Sequence, residues 1–160
     1  AYQGVEWREA NLSEQEIATL LADTRCLVHP SLNDSFGVVV LEALAAGCAL
    51  IATDIASFPE LILHEKNGWL VRAPTSAVTE DTFITEFGNI RYHEKYLNTL
   101  SLHQIEDDVT ELMMTFVNKP EQAFSMMRAS KDLYEQKYSL SVWRKQMRSV
   151  VLESFPELEL

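Results

Sequence analysis

The chain reads as an α/β domain: a parallel sheet with helices packed on its faces. Two observations predict this. "RCLVHP" (25–30) and "CALIAT" (48–53) are short apolar runs of the kind that form buried strands. Between them, "SFGVVVLEALAAG" (35–47) has the length and composition of a helix, with Gly47 placed to stop it. Strand, helix and strand within about 30 residues make a βαβ unit, whose strands are parallel and whose crossover is right-handed.

The elements follow in order. "YQGVEW" (2–7) is expected to hold the end of a strand, with Gly4 inside it. "LSEQEIATLLADT" (12–24) predicts a helix, because Ser13 and Glu16 have the spacing of a capping box and Ile17, Leu20 and Leu21 recur at helical intervals. Pro30 closes the first strand, expected over 25–29, and "SLND" is a polar loop. The next helix is expected from about Ser35 to Ala46. "FPELILHE" (58–65) reads as a short turn of helix, "KNG" as a turn, and "WLVRA" as an edge strand. Residues 74–102 are polar, aromatic and weakly periodic, which suggests an inserted loop or short helices. Helices are expected again over 104–118, 120–137, with Pro120 in the first turn, and 140–154.

Composition narrows the function classes. With 160 residues, 47% apolar and 23% charged, the chain is one soluble globular domain. A net charge of −11 argues against nucleic acid, whose binding depends on Lys and Arg neutralising phosphates. It leaves room for a small anion held by backbone amides. Cys26 and Cys48 lie in apolar segments without metal-type spacing, so reduced buried thiols and no metal are expected. Residues 36–53 approach the length of a membrane span, but Glu42 and Gly47 interrupt them, and no span is expected. The chain opens on Ala1 rather than Met, which suggests that the natural protein begins upstream. A cytoplasmic location is expected.

Ligands of open parallel sheets bind where strands end at the carboxyl edge. Two loops lie at such an edge here, "HPSLNDSFG" (29–37) and "TDIASFPE" (53–60). A helix beginning at Ser35–Gly37 offers unpaired N–H groups and a positive dipole end to a phosphate, and Gly37 would let it come close. Glu42 is the one charged residue in the apolar run 36–53. A buried carboxylate must be paired, hydrogen-bonded or used. Were the helix continued back to Asp34, that residue and Glu42 would lie about 80° apart and about 12 Å from each other, facing one groove. A nucleotide sugar, with hydroxyls at both ends and a diphosphate between, suits that arrangement. Asp34 as a helix cap, His29 as a structural histidine and Thr53 as a strand end are the plainer alternatives.

These residues resemble the donor-binding core of the retaining GT-B glycosyltransferases of the group 1, family-four type. The pattern is Pro30-Ser31, Asp34, Phe36-Gly37, Glu42-Ala43, Ala45, Gly47, Thr53, Glu60 and Asn67-Gly68, closest over about 12–72. The resemblance implies a Rossmann-like C-terminal domain of a two-domain fold, with its N-terminal GT-B partner upstream. It implies that Glu42 binds ribose hydroxyls, that Ser35, Phe36, Gly37 and Val38 contact donor sugar and diphosphate, and that Asp34 addresses the sugar near the reacting carbon. Thr53 and Glu60 belong to the same nucleotide-sugar site. No cofactor or metal is implied, since the nucleotide sugar is itself the donor substrate. The acceptor would be a carbohydrate or lipid-linked hydroxyl in bacterial-type glycan or polysaccharide biosynthesis. The parent enzyme would be cytoplasmic, peripheral to the inner membrane, and the isolated chain inactive. Asp34 departs from the family's glutamate, and Ala56-Ser57 from its Gly-Gly. Those departures leave two competing readings: a non-catalytic GT-B-like interaction module, and the nucleotide-sugar domain of another GT-B enzyme such as an epimerase.

Overall fold

A computed structural model describes residues 4–8, 11–32, 34–73, 103–155 and 157. In chain order the elements are α1 (Glu14–Ala22), β1 (Cys26–His29), α2 (Val38–Ala46), β2 (Ala49–Thr53), α3 (Phe58–Leu61) and β3 (Gly68–Val71). They continue as α4 (His103–Asn118), α5 (Pro120–Leu133), a π-helical turn (Tyr134–Tyr138) and α6 (Leu140–Ser154). The α/β class holds, with a Rossmann-like parallel sheet in the order β1-β2-β3.

The central strand explains the layers. All five residues of β2 are buried, so both of its faces are covered. Its register sets Cys26 opposite Ala49 on one side and Leu50 opposite Gly68 on the other, both parallel. Because side chains alternate along a strand, Leu50 and Ala52 join a core with Leu21, Val40, Ala43, Leu44, Phe58 and Leu61. Ala49 and Ile51 instead pack with Trp69, Val71, Ile105 and Met126, which brings α4 and α5 to the opposite face.

Local chemistry sets the helix ends. At α1 the capping box forms: Ser13 N donates to the Glu16 carboxylate at 2.8 Å, and Glu16 N donates to Ser13 Oγ at 3.3 Å. The Ser13 hydroxyl, donating to the same carboxylate at 2.6 Å, and then the Ser13 amide hold the Glu16 carboxyl below its ordinary range. Gly47 ends α2 in the left-handed region at φ 83, donating to the carbonyls of Ala43 and Leu44. Lys131 Nζ reaches from α5 to the Ala45 carbonyl at 2.8 Å, a cation at the negative end of that helix. Asn67 of the expected turn is fully buried, accepting from Leu63 N at 2.7 Å and donating to the Leu61 carbonyl at 3.1 Å.

Several sequence expectations need correction. Residues 4–8 form no strand; Gly4 lies in a turn at φ 85. Helix α2 starts at Val38 rather than Ser35, because Gly37 sits in the left-handed region and breaks the helical path before it. The helix expected over 58–65 stops at Leu61, and the one over 120–137 gives way to the π turn after Leu133. The insertion expected over 74–102 lies outside the described residues.

Candidate functional site at the carboxyl edge of the sheet

Strands β1 and β2 end side by side, at His29 and Thr53, and the loops that follow them meet. Two hydroxyls clasp the loops together: Thr53 Oγ1 donates to the Ser31 carbonyl, and Ser57 Oγ donates to the Phe36 carbonyl. Thr53 is fully buried, and its hydroxyl fixes the loop above it.

Asp34 organises the first loop from within. Its Oδ1 accepts from Phe36 N at 3.1 Å and from Gly37 N at 2.7 Å, and its Oδ2 lies 3.4 Å from His29 Nε2. The bonded amides precede the helix, so Asp34 shapes the approach to α2 instead of capping its first turn. His29 is in turn packed against Phe58, with ring centroids 5.5 Å apart.

Gly37 is needed for two reasons. It adopts φ 76, which favours glycine, and a Cβ there would lie 2.3 Å from the Phe58 ring. Its missing side chain makes room for Phe58, not for a ligand; Gly37 itself is buried. The open backbone comes next. Val40 N and Leu41 N both donate to the Gly37 carbonyl, at 2.9 and 3.1 Å. The N–H groups of Val38 and Val39 have no partner among the described residues, and Val38 is 61% exposed. A helix start with free amides is therefore present, three residues later than the sequence suggested.

Glu42 is exposed, contrary to the buried carboxylate that its apolar neighbours imply. The outward stripe of α2 consists of Val38, Glu42 and Ala46, spaced four apart on one face. The extrapolation that brought Asp34 and Glu42 onto one helical face fails, since the helix does not extend back past Val38. Glu42 instead lines a groove of about 500 Å³ between α1 and α2, whose walls include Glu14, Ile17, Ala18 and Ala45, with Lys131 also on its lining. Ser35 and Phe36 are exposed at the loop tip, and Glu60 is exposed on α3.

Sequence reasoning missed Phe58, Ser57 and Tyr138 as parts of this edge. Tyr138 OH donates to the Glu60 carbonyl at 2.9 Å across 78 positions of sequence, a pairing no local pattern signals. Burial, and secondarily the charge of Glu60, push its phenol above the ordinary value. Both cysteines are free thiols; burial pushes Cys26 up to about 12 and Cys48 upward. No cluster of His, Cys, Asp and Glu able to hold a metal occurs among the described residues. No described helix is long and apolar enough to cross a membrane.

Residues 10–84 match the family described as Glycosyl transferases group 1. That stretch of the chain is similar to the group 1 glycosyltransferases. Among curated relatives, the alpha-maltose-1-phosphate synthase of Mycolicibacterium smegmatis is 34% identical over 71 residues, 44% of this chain and 18% of that enzyme. This chain thus spans under a fifth of that relative's length. Among solved structures, Anabaena HepE in complex with UDP-glucose is 16% identical with a TM-score of 0.59, covering 86% of this chain and 30% of that one. The C-terminal domain of LpcC, a glycosyl transferase group 1 family protein from Francisella tularensis, is 22% identical with a TM-score of 0.56, over 83% of this chain and 53% of that one. At such identities the structural likeness carries the fold, which is GT-B.

Proposed function

We propose that this edge is the donor half-site of a retaining glycosyltransferase, binding a nucleotide sugar whose anomeric carbon is transferred to an acceptor hydroxyl. The carrying observation is the exposed start of α2, where the free amides of Val38 and Val39 follow a loop held rigid by Asp34, Thr53 and Ser57. Such amides and the helix dipole stabilise negative charge in place, without needing a lysine. In glycosyl transfer the bond from the anomeric carbon to the diphosphate breaks, and the departing diphosphate takes the electron pair. The bond to the acceptor oxygen forms on the same face, and the acceptor's proton passes to the departing diphosphate. Donors preorganised at the departing diphosphate lower the barrier because they need not reorient as its charge grows.

Glu42 lies four residues beyond Val38, about 6 Å along the helix axis at ~1.5 Å per residue. That spacing sets it one ribose away from a phosphate at the helix start, with both carboxylate oxygens free to accept from a diol. Asp34 acts here mainly as a positioning residue, with Oδ1 held by the amides of Phe36 and Gly37 and Oδ2 beside His29. Ser35 and Phe36 would meet the sugar from the loop tip, and Glu60 from α3. HepE was solved with UDP and with UDP-glucose, which supports a nucleotide-sugar ligand for a fold of this kind. The N-terminal domain of such an enzyme lies outside this chain in our reading.

The test is Glu42→Gln, assayed in the full-length enzyme. The amide keeps the size of the side chain but loses charge-assisted acceptance, worth roughly 1.5–3 kcal/mol per bond. Nucleotide affinity should fall about tenfold or more by calorimetry. Because Glu42 is exposed, melting temperature should not move. Normal affinity with lowered stability would instead mark Glu42 as structural.

A further inference from the structure

A second cavity adjoins the donor loop and uses none of its polar groups. It is a groove open to solvent with a volume of about 480 Å³, within the range of small-ligand pockets. Phe36 forms one side, with Leu41 of α2; Trp143 and Gln146 of α6 form another; Gln136, Lys137 and Tyr138 of the π turn close it. Phe36 is 44% exposed and Trp143 54% exposed, so two large aromatic side chains border this space yet remain open to solvent.

The backbone explains why these residues meet. After Leu133 the helix widens into the π turn, closed by Ser139 N donating to the Tyr134 carbonyl at 2.9 Å. Such turns recur at functional sites because the wider coil re-aims the side chains it carries. Ser139 Oγ then accepts from Val142 N at the start of α6, which turns the chain so that Trp143 and Gln146, three apart, share a helix face. The bond from Tyr138 OH to the Glu60 carbonyl ties the assembly to the loop after β2. The cavity is therefore anchored to the same edge as the donor loop.

Its lining specifies a ligand class. Three aromatic rings offer flat apolar area. Two primary amides each donate and accept, and one ammonium donates. No carboxylate lines it, and the single cation is weak provision for a phosphate on a chain of net charge −11. A neutral pyranose matches this set: its C–H face packs on an aromatic ring while its hydroxyls exchange hydrogen bonds with amides.

We propose that this cavity is a saccharide-binding subsite that holds neutral pyranose units of an oligosaccharide beside the donor loop. Its use in glycan extension rests on the donor reading above; its binding chemistry does not. The 160-residue chain is titrated with neutral gluco-, manno- and N-acetylglucosamine trisaccharides, following tryptophan fluorescence and saturation-transfer NMR, with UDP titrated separately. At least one trisaccharide should bind in the millimolar range, weakened about tenfold or more by Trp143→Ala and by Gln146→Ala, and unchanged by Glu42→Gln. Trp143 is half exposed, so circular dichroism should report an intact fold; Gln146→Ala provides the same test with a smaller change. In the full-length enzyme, saccharide binding without UDP binding would end the donor reading and leave the subsite standing. Binding of none of the three, or binding indifferent to Trp143 and Gln146, would overturn the subsite. So would an equal loss on Glu42→Gln, which would mean one continuous site.

Discussion

The loops that follow β1 and β2 solve the same backbone problem with different residues. Each turns sharply from a strand end into a helix, and each contains a residue at positive φ: Gly37 at φ 76 and Ala56 at φ 45. In the first loop glycine is compulsory, because the Phe58 ring occupies the space of a Cβ. In the second, Ala56 is exposed and accepts the strain where the resembling family carries Gly-Gly. The first loop bonds inward, through Asp34 to its own amides, whereas the second bonds outward, through Ser57 to Phe36 and Asp54 to Ala73 N at 2.7 Å. The second loop is thus the buttress of the first, and a glycine is required where packing, rather than φ alone, forbids a side chain.

Breaking that asymmetry should have its largest effect at Gly37. Gly37→Ala adds a methyl against Phe58 and a left-handed penalty, together about 2–4 kcal/mol of lost stability by urea unfolding. A paired Phe58→Leu change should recover part of the loss if ring contact is the cause. Thr53→Val removes the buried bond to the Ser31 carbonyl at nearly constant volume, and should cost about 1–2 kcal/mol. Amide exchange in residues 31–37 should rise in that variant, whereas an unchanged exchange pattern would show that Thr53 does not hold the first loop. Ala56→Gly should act in the opposite direction, stabilising by up to about 1 kcal/mol as the left-handed strain is relieved. If Ala56→Gly destabilises instead, the loop does not carry the strain its φ implies.

The smallest effect concerns the anchor of the second loop. The Tyr138 phenol is raised above its ordinary value of 10.0, chiefly by burial. A group whose folded pKa is raised contributes stability that is full below the unfolded value and is lost as pH rises through the folded one. The stability difference between the natural chain and Tyr138→Phe should therefore be constant up to about pH 10 and shrink above it. A difference that shrinks near neutrality would mean another group titrates.

The candidate site was legible in the sequence to different depths. The βαβ unit, the Gly47 stop and the capping box were plain, because each depends on neighbours within a few residues. Glu42 was misjudged as buried because its immediate neighbours are apolar; the outward stripe of Val38 and Ala46 shows that this helix exposes apolar residues too. Thr53 was placed correctly at a strand end, but only the fold shows its hydroxyl spent on Ser31. The π turn was absorbed into a longer helix, since a single widened turn leaves no mark in hydrophobic periodicity.

By itself the sequence determined the α/β class, the order of the elements and which loops lie at the carboxyl edge of the sheet. Those follow from short-range patterns of apolar runs, caps and glycines, whose periods are set by backbone geometry. The tertiary structure alone decided which residues meet: Phe58 beneath Gly37, Ser57 on Phe36, Tyr138 on Glu60, and Trp143 on the same groove as Phe36. The hydrogen bonds among these join residues up to 78 positions apart, from Glu60 to Tyr138, and they depend on how helices settle against the sheet. Close packing makes that choice, and no local pattern records it.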